Sequence, residues 1–248
     1  MGSHAPHIAD ERPAVFHITH WKAGSQWVLR VLLRCVPELI VHPEIDRSQF
    51  RQRPLQAGKV YPTVYVPKNE FDTVVLPRNW RRFVIIRDLR DTLISAYFSS
   101  MFSHTLMTKR MEDRRNALQP LGFEDGLIYL IDDFLPGCAR IQSSWLEAGE
   151  RLIRYEDLLE NDVEIFERVL IEECRLPISR SHLREAVIDN RFEHFTGRKR
   201  GDEDVMAHDR KGVAGDWRNY FSDRVKQSFK DRYGDLLIAT GYEQDPDW

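Results

Sequence analysis

Four stretches of the 248-residue chain carry groups that can hold a polyanion. The first is Lys22-Ala23-Gly24-Ser25-Gln26-Trp27, which offers a cation, a permissive glycine and a hydroxyl. The second pairs Arg87 with Ser95, the third centres on Tyr155, and the fourth is Arg210-Lys211-Gly212. Cations and hydroxyls make charge-assisted hydrogen bonds to phosphate, and aromatic rings such as Trp27 can stack on a base. Together the four suit a ligand with two separate phosphates and a base. Taken singly, each has a plainer reading. Arg87 can pair with Asp88 or Asp91, Tyr155 can be core, and Arg210-Lys211 can be a solvated loop end.

The elements around them bring these residues together. Val15-Phe16-His17-Ile18 reads as a short buried strand, and Trp27, Val28, Val31, Leu32 and Cys35 recur at helical spacing. The first stretch is therefore a turn from a strand into a helix, where unpaired N–H groups and the helix dipole favour an anion. It is not a Walker loop, because the lysine precedes the glycine and the upstream glycine is missing. Arg82 to Asp88 contains four consecutive apolar residues and reads as a central parallel strand, with Arg87 and Asp88 at its carboxyl end. Leu152 to Asp157 is a third buried-strand candidate, with Tyr155 and polar residues at its end. Parallel strands put their carboxyl ends on one edge, so residues scattered in sequence can meet there.

The remaining elements are read in the same way. Pro37 ends the first helix. Leu39 to Asp46 is an apolar run ending in acids, and Val60 to Val66, with Pro62, is an edge strand. A helix runs from Thr92 to about Ser103, with Asp91 as its cap. The segment from Ser103 to Pro120 lacks periodicity and reads as a long loop or lid. Further helices are expected over Phe123–Leu135 with Pro136-Gly137 as the stop, over Ala139–Leu146, after a cap at Asp157 or Asn161, over Ser181–Asn190 and over Ser222–Ile238. Residues 1–13 read as a disordered tail and 14–248 as one domain. The fold class expected is α/β, with a central, mostly parallel sheet flanked by helices and a P-loop-like strand-turn-helix.

Composition narrows the functional classes. A formal net charge of −3 gives no global basic field for nucleic acid. No apolar run approaches the length of a membrane span. Cys35, Cys138 and Cys174 are widely spaced in apolar contexts and read as free thiols, which points to a reducing, cytoplasmic setting. No metal-ligand cluster is visible.

In order along the chain, the motifs resemble those of cytosolic-type sulfotransferases. Trp21-Lys22-Ala23-Gly24-Ser25-Gln26-Trp27 resembles their phosphosulfate loop, and Ile86 to Ser95 is similar to their Arg-Asp-(x)-(x)-(x)-Ser segment. Arg154-Tyr155-Glu156-Asp157-Leu158 is similar to their Tyr-Glu-Asp strand, and Arg210 to Arg218 is close to their Arg-Lys-Gly-x-x-Gly-Asp-Trp-Lys loop. Phe192 sits where the family carries a phenylalanine beside adenine.

The resemblance implies transfer of a sulfuryl group from 3′-phosphoadenylyl sulfate (PAPS) to a hydroxyl of a small-molecule or carbohydrate acceptor, leaving the product PAP. On that basis Lys22, Ala23, Gly24, Ser25 and Gln26 hold the 5′-phosphosulfate, and Lys22 also stabilises charge on the leaving phosphate. Arg87, Ser95, Arg210, Lys211 and Gly212 hold the 3′-phosphate. Trp27 and Phe192 sandwich adenine, and Tyr155 bonds its edge. The resemblance calls for no metal.

Two departures stand out. Many family members carry a catalytic histidine where this chain has Thr63-Val64-Tyr65-Val66-Pro67. The candidates for a general base are His104 first, then Tyr65 at the family position, with His42 and Glu44 behind them. The family's dimer motif is replaced by Arg218, Ser222, Asp223 and Gln227, so a monomer is expected over the family dimer. Arg47, Arg51, Arg53, Lys109, Arg110, Arg114 and Arg115 suggest an acidic acceptor or a solvated lid. Two other readings are a kinase-like phosphotransferase, which lacks its Walker loop here, and a nucleotide-binding module without catalysis.

Overall fold

The structure, a computed structural model, describes residues 12–44, 48–103, 105 and 107–248. Its centre is a four-stranded sheet in the order β2-β1-β3-β4, with every pairing parallel. The strands are β1 (Ala14–Thr19), β2 (Val60–Val64), β3 (Trp80–Ile86) and β4 (Leu152–Arg154). β1 is buried along its whole length and pairs with β3 from Ala14↔Trp80 to Thr19↔Ile85. Such a strand needs cover on both faces, which is why its sequence does not alternate; the imidazole it buries mid-strand, His17, has its Nδ1 2.6 Å from Pro62 O.

Eleven α-helices supply the cover and the connections among the described residues: α1 (Ser25–Cys35), α2 (Ser48–Arg51), α3 (Lys68–Phe71), α4 (Leu89–Phe98), α5 (Lys109–Leu118), α6 (Phe123–Asp133), α7 (Leu135–Glu147), α8 (Tyr155–Phe166), α9 (Arg180–Asp189), α10 (Phe192–Thr196) and α11 (Asp223–Ala239). Alternate strand residues divide the core. Val15, Phe83, Ile85 and Ile153 pack against Val28, Val31 and Leu32 of α1 and against Phe166, Leu183 and Val187. Phe16, Ile18, Val84 and Ile86 face the other way, onto Phe50, Tyr61, Phe71 and Trp145. A third cluster joins α4, α6, α7 and α11 through Leu93, Leu127, Leu130, Cys138 and Phe229. Cys35, Cys138 and Cys174 are free thiols. Among the described residues no helix is long and apolar enough to cross a membrane.

The α/β class, the edge position of β2 and the central position of β3 match the expectation. Several local expectations do not. α4 begins at Leu89, because the Asp88 side chain accepts the Arg90 N–H and caps it; Asp91, expected as the cap, lies inside the first turn. A five-residue π-helix, Ser99–Ser103, continues α4. The segment expected as a long loop contains α5, capped by the Thr108 hydroxyl at the Met111 N–H. Pro136-Gly137 does not stop a helix but lies in the first turn of α7, where proline's missing N–H costs no hydrogen bond. α8 starts at Tyr155, before both proposed caps, and Asn161 marks a kink within it. The run from Leu39 to Glu44, read only as apolar and ending in acids, touches the sheet through a single bridge, Ile40 to Val60.

Candidate active site

The carboxyl ends of the parallel strands open into one cleft of about 180 Å³. Lys22, Gly24, Ser25, Gln26, Trp27, Tyr65, Arg87, Ser95, Tyr155, Phe192, Arg210, Lys211 and Gly212 all line it. Thus residues 190 positions apart in sequence share a wall. Ala23 is the exception in the cradle: it is fully buried behind the wall. His104 lies outside the described residues.

The cradle turn owes its shape to two left-handed residues, Lys22 with φ 68° and Gly24 with φ 81°. A β-carbon at Gly24 would lie 2.6 Å from the Tyr155 ring, so this position needs glycine for space as well as for angle. Lys22 has no such excuse, and its backbone is held in a sparsely populated region, a feature that clusters at functional sites. The carbonyl of Lys22 accepts a 3.0 Å hydrogen bond from Arg87 Nη1. Its ammonium makes no hydrogen bond or ion pair with a described residue. Burial, then the neighbouring Arg87 cation, pulls its pKa down to about 8.

Arg87 is the hub of the cationic wall. Its Nη2 reaches Val213 O at 3.4 Å, its guanidinium lies 4.7 Å from the centre of the Tyr155 ring, and Asp91 stands 3.9 Å away. Its Nε is buried without a partner. A buried guanidinium N–H left unpaired in a cationic cleft is what a phosphate oxygen would satisfy.

The loop carrying Arg210-Lys211-Gly212 is fixed from both sides. Asp91 accepts the Gly215 N–H at 2.6 Å and the Trp217 N–H at 2.9 Å, tying the loop to α4. Asp216 takes Arg210 Nη2 at 2.5 Å and Lys211 Nζ at 2.7 Å. Gly212 packs flat on Phe192: a β-carbon there would come within 2.5 Å of the ring. Arg30 of α1 bonds Asp209 at 3.2 Å, closing the side of the cleft next to Trp27. Arg30, Arg200, His208 and Asp209 were not singled out from sequence, although Asp209 directly precedes the Arg-Lys-Gly motif.

At the other side of the cradle, Tyr65 stacks on Trp21 with ring centres 5.1 Å apart, and its hydroxyl lies 2.7 Å from Ser25 Oγ. Phe134 meets Trp21 edge-on at 6.5 Å. This corner of the cleft is thus aromatic rather than charged. Of the other proposed bases, Glu44 pairs with Arg53 at 2.7 Å, and neither His42 nor Glu44 lines the cleft. Most of the basic residues read as a possible lid for an acidic ligand are engaged too. Arg51 pairs with Glu70, Lys109 with Asp113 and Arg114 with Asp133, while Arg110 bonds Asp133 O and Arg115 bonds Ser100 O. Arg47 lies outside the described residues. Among the described residues, no group of three His, Cys, Asp or Glu side chains is placed to hold a metal ion.

No protein-family model matches the chain. Among curated proteins, Sulfotransferase 2A6 of Mus musculus is 22% identical over 256 residues, covering 90% of this chain and 83% of that protein. Mouse sulfotransferase SULT7A1, solved in complex with PAP, superposes with a TM-score of 0.63 at 17% identity, over 93% of this chain and 85% of that one. Retinol dehydratase, solved with retinol and PAP, superposes with a TM-score of 0.53 at 15% identity, over 92% of this chain and 82% of that one. A second retinol dehydratase structure, with androsterone and PAP, matches equally well.

Proposed function

We infer that this chain, which has the sulfotransferase fold, is a PAPS-dependent sulfotransferase acting on a hydroxyl of a small, largely apolar acceptor. The observation that carries the reading is the pairing of two cationic groups across one cleft. Lys22 stands at the mouth of the α1 cradle, and Arg87, Arg210 and Lys211 gather beyond it, with Trp27, Tyr155 and Phe192 on the same wall. That is the arrangement expected for a nucleotide carrying phosphate at both 5′ and 3′ positions. The unpaired Arg87 Nε fits such a ligand, as does a Lys22 ammonium that bonds no described residue.

The donor supplies an activated sulfuryl group, and the chain's residues do the rest. The α1 N-terminal N–H groups and Lys22 balance the charge that builds on the leaving phosphate as the sulfur–oxygen bond breaks. At pH 7 Lys22 is cationic, as this role requires. Tyr65 receives the proton from the acceptor hydroxyl as its oxygen bonds to sulfur, and passes its own proton to Ser25. Ser25 hands its proton to the newly exposed phosphate oxygen, so each hydroxyl ends the step neutral. Trp21 and Tyr65 offer the acceptor an aromatic wall, with Phe134 packed against Trp21. Retinol and androsterone, seen in the neighbouring structures, are both alcohols of that kind.

The test is sulfate transfer from PAPS to panels of phenols, lipophilic alcohols and sugars, with PAP release measured in parallel. Transfer to a phenol or lipophilic alcohol that is lost in Lys22→Met supports the reading. Transfer only to sugars would move the acceptor class. Selective binding of PAP with no transfer to any acceptor would favour a nucleotide-binding module instead.

A further inference from the structure

The inner end of the cleft is organised by His20, which no described role in the reaction requires. Its ring is fully buried. Its Nδ1 lies 2.9 Å from the Trp21 carbonyl, which can only accept, so Nδ1 carries the proton. Nε2 must then accept, and two donors converge on it: the Arg87 N–H at 3.1 Å and Gln142 Nε2 at 2.8 Å. An N–H of the backbone can only donate, so the two ends of the ring fix the same tautomer independently. Gln142 of α7, also buried, donates to the Arg87 carbonyl at 2.7 Å. His20 and Gln142 thus pin both backbone polar groups of Arg87, and His20 also pins the entry to the cradle at Trp21.

The consequence is a fixed spacing. Lys22 follows His20 by two residues, and the Arg87 side chain bonds back to Lys22 O. The loop that would hold one phosphate and the guanidinium that would hold the other are therefore braced through one imidazole. Burial keeps that ring neutral, with its pKa pulled down to about 4, so the brace persists through the neutral pH range.

We propose that His20, supported by Gln142, is a positioning residue that sets the distance between the 5′- and 3′-phosphate sites and so confers selectivity for a nucleotide bearing a 3′-phosphate. This rests on the donor reading above. Arg87 released from the brace can still carry its charge, but it loses its fixed place relative to Lys22. A ligand with only a 5′-phosphate uses the cradle and the aromatic wall and is affected less.

Calorimetric titration of PAP and adenosine 5′-phosphate against the full chain tests it, using His20→Leu, His20→Gln and Gln142→Met. The expected result is a PAP-over-adenosine-5′-phosphate preference that falls about tenfold or more in His20→Leu and Gln142→Met, the scale of one misplaced charge-assisted hydrogen bond. His20→Gln, which can both donate and accept, should restore part of it. Should His20→Leu fail to fold, Gln142→Met carries the same comparison from the other side of Arg87. An unchanged preference in the folded variants would overturn the positioning role while leaving the donor site standing. A wild-type chain with no preference for PAP would overturn the donor reading itself, and this inference with it.

Discussion

The hydroxyl of Tyr65 lies 2.7 Å from the hydroxyl of Ser25, joining the end of β2 to the first residue of α1. On the proposed reading, Tyr65 takes the place of a general base and Ser25 lies in the cradle for the leaving group. A proton arriving at one can therefore be handed to the other without crossing solvent. Tyr65→Phe keeps the ring and its stacking on Trp21 but breaks this path. Turnover should fall about 10²-fold or more, the usual weight of acid–base assistance, with the dissociation constant for PAP nearly unchanged. Equal loss in both would mean that Tyr65 shapes the nucleotide site rather than moving a proton.

On the proposed reading, Lys22→Met removes the cation at the point of charge development. Turnover should drop by about 10²–10³-fold. The same variant should melt a few degrees higher without ligand at pH 7. The lysine's proton is held up to its ordinary pKa near 10.5 in the unfolded chain but only to about 8 in the folded one, so below pH 8 the fold bears the cost of a partly buried charge. In the wild type, stability should rise as pH climbs from 8 towards 10, because there the unfolded chain binds more protons. Donor affinity should move the opposite way and weaken above pH 8. A pH series of melting curves with and without PAP reads both slopes.

Asp91→Ala strips the acceptor from the Gly215 and Trp217 N–H groups. Two donors left unpaired in a buried setting cost about 2–4 kcal/mol, a loss that chemical denaturation resolves readily. Because the Arg210–Gly212 loop hangs from those bonds, PAP should also bind more weakly than stability alone dictates. Asp91→Asn, which keeps one acceptor oxygen, should recover part of both.

Glu156 takes the Asp88 N–H at 3.1 Å and the Tyr242 hydroxyl at 2.8 Å, and burial lifts its pKa to about 7. In the unfolded chain it ionises near 4.5, so between pH 4.5 and 7 the folded state binds more protons and stability falls as pH rises. Glu156→Gln has no proton to lose. Its stability should be flatter between pH 5 and 7, by equilibrium denaturation at fixed ionic strength.

The groups that line the cleft were the most legible part of the chain, because their types are fixed by chemistry. Lysine, glycine and serine in the cradle, arginines at strand ends and aromatics beside them all line the cleft as expected. Non-alternating, mostly apolar runs gave β1 and β3, since strands covered on both faces cannot alternate. What stayed hidden depended on partners far away in sequence. Asp88 and Asp91 look equally good as caps; only the distant Gly215 and Trp217 amides explain why Asp91 turns away. α5 buries little beyond Leu118, so it carries no apolar stripe to be recognised. Proline read as a stop proved a start, because the same missing N–H suits either end of a helix. His20 gave no signal at all: its role lies in one ring nitrogen, Nε2, meeting residues 67 and 122 positions away.

The strand order itself carries one more consequence. The cleft takes its residues from Lys22 at the start of the chain to Gly212 near its end, brought together only when β1, β3 and β4 lie side by side. No fragment short of that sheet holds both cationic clusters. On the proposed reading, nucleotide binding would therefore report on all four strands together, and a bound nucleotide should shield distant backbone, such as that of α9 and α11, from proteases and from amide exchange whenever exposure there requires global opening. In a cell, the supply of nucleotide would then help set how long each copy of the chain survives.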